Sequence, residues 1–321
     1  MSATAPTVVI ARRLLPAGQE PLRERYEVRE GGLDTTREQL LELVSGAAAL
    51  VADPSVPVDA ELLDACGGQL KVVANFAVGH DNVDLAACAE RGVQVTNTPG
   101  VLTEATAELA LALTLAAARR ISDAERDLRA GRWRGWDPAA YRGIELRGAT
   151  VGVIGLGRIG SRYAELVRAI GAEVLYSGPS AKPEAERTLG AGHRDLGELL
   201  EASEVVSIHA PSSPDTRHLI GEAELELIGS GGVLVNTSRG PLVDAEALAA
   251  ALERGTLGAA GLDVYENEPS VPASLLAAPR CVLLPHIGSA TVTARDGMAR
   301  LVAENVIAVL EGEKPPNAVG S

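Results

Sequence analysis

Aromatic residues are almost missing from this chain: one Phe, five Tyr and two Trp among 321 residues. Any sizeable core must therefore be aliphatic, and a hydrophobic content of 46% supplies the Ala, Val, Leu and Ile for it. Cysteine is scarce as well. Cys66, Cys88 and Cys281 are odd in number and share no motif spacing, which argues against a disulfide framework and against a thiolate metal site. Each is read as a small buried hydrophobe, and no metal is expected. Positive charge is in deficit, with 29 Lys and Arg against 43 Asp and Glu and a formal net charge of -14. That balance disfavours nucleic acids and anionic membranes as partners. No basic and apolar leader opens the sequence, and no charge-free apolar run reaches about 18 residues. The expectation is a soluble, cytoplasmic protein.

What is present is an alternation of short apolar runs and helical patterns. The length favours two domains. Residues 7–11, 47–51 and 70–75 read as strands, with helices over 35–45 and 59–65 between them. Runs so continuous in Val, Leu and Ile belong to parallel strands covered on both faces. An Ala- and Leu-rich helix is expected over 103–119, with Thr103 as its N-cap. The polar stretch Gly131 to Pro138, with Trp133 and Trp136, reads as an excursion from the core. A second strand–helix series runs from Thr150 to about Ile287, with strands over 205–209, 233–236, 259–264 and 282–284. A last helix covers 290–310. The fold class is therefore α/β, with two doubly wound Rossmann-like domains and a cleft between them. One domain is discontinuous (1–98 and 288–321, for substrate), and the other (99–287) binds a dinucleotide.

The second series opens on Val151-Gly-Val-Ile-Gly155-Leu-Gly157-Arg-Ile-Gly160, a GxGxxG pattern between a strand and a helix. Gly155 makes the tight turn, Gly157 lets backbone approach a pyrophosphate, and Gly160 permits close helix–strand packing. The free amides of the helix start, around Arg158 and Ile159, would hold the phosphates. A glycine-rich turn without a ligand is the bland alternative, and the strand–helix context weighs against it. The next strand, over 173–176, should end at the residue that reads the adenosine ribose. An acidic residue there would select NAD; this chain has Ser177, Ser180 and, just beyond, Lys182. Nothing repels a 2′-phosphate, so NADP(H) is favoured as cofactor and NAD(H) stays permitted.

Three further residues carry chemistry. His286 follows a strand, and a histidine needs little environmental help to exchange a proton near neutral pH. Arg239 suits a substrate carboxylate, and Glu268 can orient an imidazole. Each has an ordinary reading alone: a capped loop histidine, a surface ion-pair partner, a solvated acidic loop. Together with Asn75-Phe-Ala-Val-Gly79-His-Asp-Asn82 and Asn97-Thr-Pro-Gly100-Val-Leu-Thr-Glu-Ala-Thr106, they sit in a longer set of motifs. These are Asn236-Thr-Ser-Arg239-Gly240, Gly261-Leu-Asp263-Val-Tyr-Glu-Asn-Glu268-Pro269 and Pro285-His286-Ile-Gly-Ser-Ala290. Over nearly its whole length the chain resembles the D-isomer-specific 2-hydroxyacid dehydrogenases, in particular their glyoxylate/hydroxypyruvate reductase branch.

The resemblance implies a role for each matching position. Arg239 would bind the carboxylate and carbonyl oxygen of a 2-keto acid. His286 would give its proton to that oxygen. Glu268 would accept a hydrogen bond from the other ring nitrogen, fixing the tautomer and favouring the protonated form. Amides of Val78 and Gly79 would hold the carboxylate from across the cleft. Asp263, Thr106, Thr237 and Gly288 would line the nicotinamide end of the cofactor site. His80 takes second place among the histidines, and His193, His209 and His218 read as structural or merely near the cofactor.

The loop Ala52-Asp53-Pro54-Ser55 departs from the branch, which tends to place apolar residues there; Ser55 remains a substrate-contact candidate, and the departure leaves the exact substrate open. Trp136 matches a tryptophan that reaches the partner subunit's active site, so a homodimer is expected, with packing on the dimer surface as the plainer role for both tryptophans. The resemblance thus implies NAD(P)H-dependent reduction of small 2-keto acids such as glyoxylate or hydroxypyruvate. Its rivals are a dehydrogenase of a phosphorylated hydroxy acid or phosphite on the same scaffold, and a non-catalytic dinucleotide-sensing co-regulator. Residues 52–55 and 76–81 hold no basic group for a phosphorylated substrate, and an intact Arg239, Glu268 and His286 argue against the co-regulator.

Overall fold

The computed structural model of the protein describes residues 5–320, which divide into two compact units. The first comprises the chain up to Leu102 and from Ser289 onward; the second is Thr103–Gly288.

In the first unit five parallel strands, β1 (Thr7–Ile10), β2 (Glu27–Glu30), β3 (Ala49–Ala52), β4 (Val72–Asn75) and β5 (Gln94–Thr96), lie in the order β2-β1-β3-β4-β5. Successive residues of a strand face opposite sides, and both sides here are apolar. Val9, Leu50, Val73 and Val95 pack with Leu40, Leu62, Leu63 and Cys88 from helices on one face. Val8, Ile10, Val51 and Val72 pack with Leu22, Ala299, Val302 and Val306 on the other. The last helix, Val292–Leu310, thus returns the chain's end to its beginning. Thr291 caps it, accepting a hydrogen bond from the Ala294 amide at 3.1 Å.

The second unit carries seven parallel strands: β6 (Thr150–Ile154), β7 (Glu173–Ser177), β8 (Gly192–His193), β9 (Val205–Ile208), β10 (Val233–Asn236), β11 (Ala259–Leu262) and β12 (Cys281–Leu283). Their order, β8-β7-β6-β9-β10-β11-β12, reverses direction between β6 and β9. Val151, Val153, Val233 and Val235 pack with Leu113, Tyr163 and Val167 on one face, where the helices Thr103–Ala118 and Arg158–Ala169 lie. Ile154, Val206, Ile208 and Leu234 pack with Leu199, Leu225 and Leu248 on the other. Both sheets are therefore doubly wound, as the patterning predicted. The three cysteines are free thiols and buried. Among the described residues no helix is long and apolar enough to cross a membrane.

Sequence and structure differ at the margins. β2 and the helix Pro16–Arg23 escaped the reading, because β2 is an edge strand of sequence Glu-Val-Arg-Glu with exposed ends. The helix of 103–119 begins on Thr103 itself and ends at Ala118. A further helix, Ile121–Arg129, precedes the tryptophan stretch and was not anticipated, although Ile121, Ala124 and Leu128 recur at helical spacing along it; it buries none of its residues.

Candidate active site

Parallel pairing of β11 and β12 brings two loops together at the carboxyl ends of these strands. The Leu284 amide continues the ladder to the Leu262 carbonyl at 2.9 Å, and the His286 amide reaches the Asp263 carbonyl at 2.9 Å. His286 then adopts φ 53°, in the left-handed region that non-glycine residues rarely enter. Such backbone persists only where its surroundings hold it, and it recurs at functional sites. The holder is Asp263, which is fully buried. Its Oδ1 accepts the Ile287 amide and its Oδ2 the Gly288 amide, both at 2.7 Å. Burial pushes the Asp263 carboxyl up, against the two amides and the charge of His286, which pull it down.

Glu268 divides its carboxylate between two partners. Oε1 accepts the Tyr265 amide at 2.9 Å, and Oε2 meets His286 Nδ1 at 2.7 Å. Both side chains are about one-third exposed, at 34% for His286 and 33% for Glu268. Burial works against ionisation of Glu268. The hydrogen bond and charge of His286, the Tyr265 amide and the charge of Arg239 outweigh it and hold the carboxyl below its ordinary range. With Nδ1 engaged, Nε2 is the nitrogen left to exchange a proton; it has no hydrogen-bond partner among the described residues. Tyr265, which sequence reasoning missed, locks this arrangement by donating its hydroxyl to the Leu284 carbonyl at 2.9 Å. Its only signal was position, between Asp263 and Glu268.

Arg239 sits in a turn after β10. Buried Asn236 shapes that turn: its Nδ2 donates to the Arg239 carbonyl at 2.8 Å, and its Oδ1 accepts the Ser238 amide at 3.0 Å. Gly240 lies flat against the backbone of Tyr265 and Glu266, where a Cβ would collide with the Tyr265 carbonyl carbon. The arginine turn and the Glu268 loop are thus packed together, which is why the Arg239 charge reaches Glu268.

At the β6–β9 reversal the three glycines meet separate demands. Gly155 has φ 91°, and a Cβ there would lie 2.7 Å from the Ala210 amide nitrogen. A Cβ on Gly160 would strike the Gly155 carbonyl oxygen, whereas one on Gly157 would meet nothing within 4 Å. Gly157 is the N-cap of the helix Arg158–Ala169 and has no side chain to satisfy the first amides, including those of Arg158 and Ile159. Open space in front of unsatisfied helix amides fits a pyrophosphate. Lys182 donates its Nζ to the Leu156 carbonyl at 2.6 Å, so its charge lies at the glycine-rich turn. Ser177 closes β7 and Ser180 is exposed nearby. Thr106 donates to the Gly288 carbonyl at 3.2 Å, while the buried Thr237 hydroxyl has no hydrogen-bond partner among the described residues. An orphaned hydroxyl of that kind fits a polar cofactor.

The remaining histidines of this unit divide clearly. His209 is half-buried, its Nε2 2.9 Å from Ser207 Oγ and its ring against Tyr163; desolvation drives it down to about 3. Desolvation thus favours its neutral ring, consistent with a structural role. His218 contacts Glu266 at 3.3 Å, and His193 stacks near Tyr176.

In the first unit, considered by itself, Val78 and Gly79 lie on the loop after β4. Asn75 donates to the Gly79 carbonyl at 2.8 Å, and Asn97 to the Val78 carbonyl at 2.8 Å. Asn82 bridges from this loop to the carbonyls of Asp53 and Val56, each at 3.0 Å. Ser55 is exposed, its amide bound to Asp53 Oδ1 at 2.8 Å. His80 is half-buried, with Nδ1 lacking a hydrogen-bond partner among the described residues. Arg12, which the sequence reading overlooked, pairs with Asp53 at 3.7 Å. Trp136, which belongs to the second unit, is 85% exposed.

The model of the D-isomer specific 2-hydroxyacid dehydrogenase NAD-binding domain matches residues 111–288. The chain belongs to that family. It is 45% identical to a glyoxylate reductase of Thermococcus litoralis over 98% of this chain and 96% of the relative. A solved structure from Thermus thermophilus shares 45% identity with a TM-score of 0.91, covering 98% of this chain and 99% of that one. An NADPH-dependent glyoxylate/hydroxypyruvate reductase of Sinorhizobium meliloti, solved with NADP and malonate, shares 35% identity with a TM-score of 0.86, covering 99% and 97%. The chain is accordingly an NAD(P)-dependent oxidoreductase, with a nicotinamide dinucleotide as its cofactor.

Proposed function

We propose that the protein reduces small 2-keto acids, glyoxylate and hydroxypyruvate among them, to D-2-hydroxy acids, with His286 as proton donor. The observation that carries this reading is the 2.7 Å bond from His286 Nδ1 to Glu268, which leaves Nε2 free to serve a substrate oxygen. The reduced nicotinamide, when bound, supplies a hydride to the carbonyl carbon. Arg239 holds the substrate carboxylate through its planar fork and orients the carbonyl. His286 passes the Nε2 proton to the carbonyl oxygen as negative charge develops there, and is left neutral with its remaining proton on Nδ1. Glu268 fixes that tautomer and the ring's direction throughout. The amides of Val78 and Gly79 are further carboxylate contacts in this scheme.

NADPH is the preferred reductant in this reading, because the end of β7 carries Ser177 and no acid, and Lys182 brings positive charge to the turn. The names of the relatives support the same reading, as several are glyoxylate reductases. The functional form is proposed to be a homodimer in which a second copy covers Ile121, Leu128, Trp133 and Trp136, each more than half exposed. Light scattering on the purified protein tests this, and a monomer would overturn it. The activity is tested by following nicotinamide absorbance with NADPH and NADH against a panel of 2-keto acids. Absence of turnover with every acid and both cofactors would overturn the reading.

A further inference from the structure

In the first unit the chain leaves β1 towards β2 and leaves β3 towards β4, in opposite directions along the sheet. The loops after β1 and β3 therefore part, and open parallel sheets bind ligands at such a reversal, outside the carboxyl ends of the strands. Arg12 stands on the first loop and Asp53 on the second. Their Nη1 and Oδ2 atoms lie 3.7 Å apart, with side chains 26% and 22% exposed. This is longer than a charge-assisted hydrogen bond, so Oδ2 keeps unfilled acceptor capacity. The other atoms are committed: Arg12 Nη2 donates to the Leu33 carbonyl at 3.0 Å, and Asp53 Oδ1 accepts the Ser55 amide. Asn82 fastens the Asp53 carbonyl to the network that also holds Gly79, through Asn75. Asp53 is thereby fixed beside the loop assigned to the substrate carboxylate.

From this placement we infer that the Arg12–Asp53 pair selects the C3 substituent of the substrate. Asp53 accepts a hydrogen bond from a C3 hydroxyl and repels a second carboxylate, which Arg12 would otherwise attract. This rests on the keto-acid reading above and deepens it: among 2-keto acids that carry a C3 substituent, a hydroxyl is preferred to a carboxylate, while glyoxylate, which has no C3, is not sorted by the pair. Among substrates with a C3 substituent, a fixed hydroxyl partner discriminates against those that set a second anion against it.

The test compares kcat/KM for hydroxypyruvate and oxaloacetate in the full-length wild type, Asp53→Asn, and the double variant Arg12→Gln/Asp53→Asn. Asparagine keeps an acceptor for the Ser55 amide, so the loop turn survives. The oxaloacetate-to-hydroxypyruvate ratio is expected to rise about tenfold or more in Asp53→Asn and to fall back in the double variant. A single-variant ratio within about twofold of wild type, or a gain that persists without Arg12, overturns the inference. Wild-type protein that turns over no keto acid at all would instead overturn the underlying reading, so the two failures are distinguishable.

Discussion

Gly288 donates its backbone N–H to Asp263 Oδ2 at 2.7 Å, and a Cβ added at Gly288 would stand 3.2 Å from that same oxygen. The glycine and the buried carboxylate fit only each other. Replacing Asp263 by Ala removes both acceptors and strands two amides. Chemical denaturation should show a loss of about 3 kcal/mol, as for hydrogen bonds to a buried charge. Turnover should fall further than cofactor affinity does, because His286 loses its fixed backbone. Unchanged kcat in a folded variant would contradict this.

His286→Asn should abolish turnover by at least about a thousandfold while cofactor binding, followed by fluorescence titration, persists. Asparagine is the choice because it tolerates left-handed backbone better than other non-glycine residues. Stability should therefore change little, and retained activity would remove His286 from the proton transfer.

Glu268→Gln should lower kcat by about a hundredfold, since the amide supports the wrong tautomer for part of the time. Its pH signature is separate. The folded-state value of Glu268 is depressed, so its stabilising contribution is complete above the ordinary carboxylate range and is lost as pH falls through the depressed value. Wild type and variant should differ most in Tm near neutrality and converge as pH falls below the ordinary carboxylate range. Parallel curves across that window would show that Glu268 contributes no such linkage.

Lys182→Ala should raise KM for NADPH about tenfold or more and leave KM for NADH nearly unchanged, the loss expected for one charge-assisted phosphate contact. Equal effects on both cofactors would place the lysine away from the 2′-phosphate.

Much of this organisation was legible in the residues. Strands such as Val205–Ile208 and Val233–Asn236 announce themselves because burial on both faces leaves no polar alternation to confuse them. The GxGxxG turn was equally clear, since Gly155 and Gly160 answer steric demands that no other residue meets and Gly157 leaves open space before the helix amides. The supports were not. Tyr265 acts through the backbone of Leu284, in the next strand's loop, and Asn236 acts by shaping the turn that carries Arg239, a role its residue type does not announce. Arg12 and Asp53 are 41 positions apart and meet only because β1 and β3 are neighbours in the sheet. Pairing across a sheet is a property of topology, which motif reading does not deliver.

The scarcity of aromatic residues has an optical consequence. Both tryptophans, Trp133 and Trp136, lie in the exposed stretch after Ile121–Arg129, and neither belongs to either core. Tryptophan emission from this protein is therefore a local reporter of that surface, sensitive to whatever covers it. Loss of the packed sheets will pass almost unseen in that signal and must be followed by circular dichroism instead.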